Sequence, residues 1–126
     1  FKVEVVQGDS LQHRADVMFY FTGLVHVKGI DSNQYHPGAI ADHLTSAGGK
    51  LTGSRQMSSL QWLQAGATGS YGAVVEPCAF VQKFPRPNIV IDRYLNGETL
   101  LEAYWKSVEW PGQGVFIGEP LAAPFR

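Results

Sequence analysis

The sequence predicts an α/β protein built on a mostly parallel sheet with helices on both faces. Three observations lead there. Strand-like apolar runs alternate with segments of helical period, the order that produces parallel strands joined by crossover helices. Residues 16–23 (DVMFYFTG) form a nearly continuous apolar run closed by glycine, as expected of a central strand covered on both sides. Turn residues separate the segments, and 14 of the 126 residues are glycine.

The elements are read in order. Residues 2–6 alternate and are rich in valine, which predicts a strand, broken by Gly8, Asp9 and Ser10. The run at 16–23 is the second strand, and 24–36 is a loop. Pro37 is placed at the start of a helix in which Ile40, Leu44 and Ala47 share a face and Gly48-Gly49 is the stop. A second helix, capped by Ser54 or Ser58, carries Met57, Leu60, Trp62 and Leu63 toward the core and stops at Gly66. Residues 70–75 form a buried strand. Residues 76–87 hold three prolines and no period, which predicts an ordered loop or surface arm. A helix runs from Pro87 through Tyr94, with Asn96-Gly97 ending it. The strongest helical signal spans 98–110, where Leu101, Tyr104, Trp105 and Val108 recur at helical spacing. A last short strand at 115–118 precedes a proline-containing tail.

Composition narrows the function classes. The chain is 44% hydrophobic and 12% aromatic, enough to bury a core. Charged residues make up 17%, below the quarter or so usual for a soluble domain, which fits either a surface partly covered by another chain or domain or a compact enzyme-like domain with many tight turns. With a net charge of −1 and no basic stripe, nucleic-acid binding has no support. No apolar run reaches the roughly 20 residues of a membrane helix. The length fits one domain, 1–126. A first residue other than Met and a sheet of so few strands predict a half-domain, the C-terminal fragment of a longer protein.

Four segments carry a resemblance: residues 16–23; 37–46 (PGAIADHLTS); 66–72 (GATGSYG) with 76–78 (EPC); and 110–114 (WPGQG) with 118–120 (GEP). They resemble the C-terminal part of a bacterial protein family of unassigned activity, found in species that carry the exosortase sorting system. The resemblance implies export, hence an extracellular or periplasmic location. At the level of fold, the element order and the closing Gly118-Glu119-Pro120 turn resemble the second half of a gingipain-type, caspase-like three-layer domain. That clan's chemistry needs a Cys after one strand and a His after another. The matching strand end here holds Thr22-Gly23-Leu24, with no Cys near, which speaks against peptidase activity.

The candidate chemistry is sparse. Cys78 is the single cysteine, so the chain cannot form an internal disulfide or a Cys-rich zinc site. It follows a strand, where α/β sites gather, and His26 or His43 is the candidate base that would activate its thiol. A small buried residue packed under the loop is the alternative. Asp42 and His43, neighbours on the predicted helix, point about 100° apart and do not make one metal site; with no His-Glu-x-x-His or paired-Cys spacing, no metal or other cofactor is expected. The glycines at 66–72 follow a helix rather than precede one and lack the Walker lysine, so a structural role is expected of them. Asp9, Glu76 and Glu119 lie near strand ends, in turn or cap roles or converging as a carboxylate pair. Tyr104 and Trp105 read as core or interdomain packing. Phe80, Phe84 and Trp110 are the candidate interface residues, the first two on a proline-rich arm.

The expected function is therefore a non-catalytic structural or interaction domain of an exported, exosortase-associated protein, with self-assembly a feature. Its partner is the remaining N-terminal part of its own polypeptide, a second chain, or a further copy. The alternative is a caspase-like cysteine hydrolase, with catalytic residues in the N-terminal part or around Cys78.

Overall fold

The computed structural model describes residues 3–77 and 80–126. Four strands, β1 (Val17–Thr22), β2 (Tyr35–His43), β3 (Gly69–Ala73) and β4 (Gly114–Gly118), form one open sheet in the order β1-β2-β3-β4. β1, β2 and β3 run parallel, and β4 returns antiparallel to β3. Among the described residues, three α-helices accompany the sheet: α1 (Leu60–Ala65), α2 (Pro87–Leu95) and α3 (Leu100–Ser107). The expected α/β class and mostly parallel sheet hold.

Two expectations fail. Residues 37–49 are not a helix: 35–43 form β2, and 44–50 form a tight loop. The spacing of Ile40, Leu44 and Ala47 mimicked a helical face, and Ala39 and Ala41 are good helix formers. Tertiary burial decides otherwise. Every residue from Gly38 to His43 is buried, and an inner strand covered this way accepts small side chains. Pro37 lies where the register shifts: Val17 pairs with Tyr35, while Phe19 pairs with Ile40. An irregularity of this kind tolerates a strand proline, and it places Gly38 at φ 90°, a conformation suited to glycine. The second failure is the N-terminal strand. Among the described residues, 3–6 pair with no strand, and Val3 and Val5 stand exposed.

The remaining elements follow local chemistry. α1 ends at Gly66 in the left-handed conformation (φ 114°), as its stop residue predicted. α2 begins on Pro87. α3 opens with a reciprocal capping box between Thr99 and Glu102. The buried stripe of α3 is Leu100, Ala103, Tyr104 and Ser107; Leu101 and Trp105 face outward, so only Tyr104 of the expected Tyr104–Trp105 pair enters the core.

Two apolar cores draw on successive residues of β2. Ala41 joins Tyr20, Ile30, Met57 and Trp62 of α1 in one. Ile40 joins Val90 and Tyr94 of α2, and Leu100 and Tyr104 of α3, in the other. The period-two alternation of a strand divides them.

Candidate functional site

The same alternation acts on the next two residues of β2, Asp42 and His43, both fully buried. The expectation that they share a helix is corrected; as strand neighbours they serve opposite sides.

Asp42 enters the core of α2 and α3. Its Oδ1 accepts from the Ser70 hydroxyl at 3.0 Å and the Tyr71 backbone N–H at 2.7 Å. The Tyr104 hydroxyl lies 3.0 Å from both carboxyl oxygens. No lysine or arginine forms an ion pair with it among the described residues. Burial pushes the carboxyl pKa up to about 7, against the three hydrogen bonds that favour the charged form. Burial, and then the Asp42 charge, hold the Tyr104 phenol well above its ordinary value.

His43 enters the core of α1. The Trp62 indole, which can only donate, gives its N–H to Nδ1 at 2.9 Å. That makes Nδ1 the acceptor and leaves the proton on Nε2, which donates to the Met57 carbonyl at 2.6 Å. The imidazole is thereby held neutral in one tautomer, and burial lowers its pKa. Both ring nitrogens are occupied, so this conformation leaves no lone pair to take a proton from a nucleophile.

The other candidates are dispersed. His26 is exposed on the loop after β1. Cys78 lies outside the described residues. Phe80 and Trp110 are brought together, ring centroids 5.5 Å apart, and both are partly exposed. Phe84 is half-buried. The arm is folded back onto the chain rather than extended. Trp110 N–H donates to the Gln82 carbonyl at 2.9 Å, and Arg86 N–H donates to Ser107 at 3.1 Å. Lys83 is buried with its ammonium on the carbonyls of Val75 and Pro77. Glu76 and Glu119 do not converge, because β4 is antiparallel: Gly118 pairs with Gly69 at the start of β3, whereas Glu76 follows its end. Glu119 accepts from the Leu121 N–H, a turn role.

Sequence reasoning missed one polar cluster. At the carboxyl end of β2, the Ser46 hydroxyl donates to Glu76 and accepts from the Gln56 amide at 2.9 Å, while Gln56 Oε1 takes the Ala47 N–H at 2.8 Å. Ser46 is buried, and the cluster ties three loops together. Only Gly48-Gly49 hinted at it: a Cβ on Gly49 would fall 2.1 Å from the Gly72 carbonyl oxygen, so this loop sits directly on β3.

Among the described residues no group of three or more His, Cys, Asp or Glu is placed to hold a metal, and no helix is long and apolar enough to cross a membrane. The chain matches no protein-family model, no curated protein and no solved structure.

Proposed function

We propose that this chain is a non-catalytic structural or interaction domain. The observation that carries the proposal is the use made of Asp42 and His43. Asp42 and His43, the last two residues of β2 and so at the carboxyl end of a parallel strand, where α/β sites usually gather, spend their hydrogen-bonding capacity inside the protein. The exposed Phe80–Trp110 pair supports a contact surface, since large aromatic side chains half-open to water anchor interfaces. The same proposal takes in the setting that the sequence resemblance implies: part of a longer, exported, exosortase-associated bacterial protein with a caspase-like three-layer arrangement and helices on both sheet faces. The occupant of the aromatic surface is a further copy of the chain.

Sedimentation velocity over a range of protein concentrations tests it. The wild type is expected to self-associate, and Phe80→Ser combined with Trp110→Ser to weaken association at least about tenfold with little change in Tm. A monomer at every concentration, or association unchanged in the double variant, would sink the proposal. A peptidase activity lost in Cys78→Ala would replace it with a cysteine hydrolase.

A further inference from the structure

Between α3 and the antiparallel β3–β4 pair lies a cleft of about 110 Å³. Leu101 and Trp105 of α3 and Val108 just after it form one wall, and Pro111 and Phe116 form the other, with Tyr71 and Tyr104 also lining it. Tyr71 is 5% exposed, yet its buried hydroxyl has no hydrogen-bond partner among the described residues. The hydroxyl rests over Gly114, where a Cβ would come within 2.2 Å of it, so the glycine keeps this end of the tyrosine uncovered by a side chain.

A buried hydroxyl without a partner is costly, and folded proteins rarely leave one. The lining does not favour water as the answer. A bound water needs two to four polar partners. Here the Tyr104 hydroxyl is already spent on Asp42, and Trp105 is 64% exposed at the rim. The Tyr71 hydroxyl is then the one uncommitted polar group among the buried lining side chains. The remaining walls are aliphatic and aromatic, the surfaces against which a flat ring packs. In size, an apolar cavity of about 150 Å³ accommodates benzene, and this cleft also opens outward beside Leu101 and Trp105, which are 41% and 64% exposed.

We infer that the cleft is a binding site for a small single-ring aromatic compound carrying one hydroxyl or carbonyl oxygen, which the Tyr71 hydroxyl receives. Recognition divides into two parts. The ring is held by Tyr104, Trp105 and Phe116, and the oxygen by the Tyr71 O–H as donor. Burial, with a smaller contribution from Asp42, pushes the Tyr71 pKa up to about 12, so the phenol stays protonated and able to donate at neutral pH. This inference does not depend on the aromatic surface at Phe80 and Trp110 or on self-association.

The probes are phenol and benzene, which share a ring and differ in one oxygen. Each is titrated into the 126-residue protein while the methyl signals of Leu101 and Val108 are followed by NMR. Both are expected to shift these methyls saturably. Tyr71→Phe, which deletes a hydroxyl with no partner to lose and so stays folded, is expected to weaken phenol about five- to tenfold and to leave benzene unchanged. Leu101→Trp, at the exposed mouth, is expected to abolish binding of both. The inference is overturned if neither probe shifts these methyls, if Tyr71→Phe affects phenol and benzene equally, or if Leu101→Trp leaves binding intact.

Discussion

Asp42 and His43 are consecutive residues of one strand, equally buried, and solve the same physical problem in opposite ways. His43 has one donor and one acceptor, and the protein presents one acceptor, Met57 O, and one donor, Trp62 Nε1–H. Its neutral form is complete. Asp42 is offered three donors, from Ser70, Tyr71 and Tyr104, a set that favours the ionised form, while burial opposes that charge. What the pair teaches is that a buried polar group matched in its neutral state is inert, whereas one matched in its charged state keeps a titration within reach of physiological pH.

The folded pKa of Asp42, about 7, lies above its ordinary 3.8. Its stabilising contribution is therefore complete below 3.8 and is lost as pH rises through 7. His43 runs the other way: its folded pKa is lowered from 6.5, so its contribution is complete above 6.5 and is lost as pH falls through the depressed value.

The largest expected effect breaks the comparison on the Asp42 side. In Asp42→Asn the amide oxygen keeps the Ser70 and Tyr71 donors and the amide nitrogen faces the Tyr104 oxygen, imitating the protonated acid. The unfolding free energy of the wild type minus that of Asp42→Asn is expected to rise by roughly 4 kcal/mol from pH 8 to pH 4. Urea titrations across that range measure it; a pH-independent difference would mean that the carboxyl does not titrate between its two states. On the His43 side, Trp62→Phe removes the indole donor, leaves Nδ1 buried without a partner and opens a small void. It is expected to cost about 2 kcal/mol at neutral pH. A loss that disappears when His43→Phe is introduced as well would locate the cost in the hydrogen bond. The smallest effect tests how rigidly His43 is held. A Cβ on Gly48 would lie 2.9 Å from His43 Nε2 and 3.0 Å from Cε1. Because two hydrogen bonds fix the ring, Gly48→Ala is expected to cost about 1 kcal/mol, read as a lower Tm. An unchanged Tm would show a ring able to give way.

The difference between legible and hidden features follows element by element. α2, α3 and the end of α1 were legible because their signals are local: Pro87 at a helix start, the helical spacing of Leu101, Tyr104 and Val108, and Gly66 at a stop. β1 was legible from an apolar run too short for a helix and ended by glycine. β2 was not. Alanine, glycine, aspartate and histidine do not announce a strand, and this segment is a strand because the sheet and both cores bury it. The site was hidden by the same error, since reading Asp42 and His43 on a helix removed the alternation that sends them apart.

By itself, then, the sequence determined the α/β class, the existence of the three helices, the start of α2 at Pro87 and the stop of α1 at Gly66. These rest on interactions between residues a few positions apart. The tertiary structure alone decided the strand character of β2, the neutral tautomer of His43 and the raised pKa of Asp42, as well as the orphan hydroxyl of Tyr71. Each depends on groups brought from distant parts of the chain, such as Tyr104 onto Asp42 and Trp62 onto His43, and on the loss of water around them, which no local pattern of residues encodes.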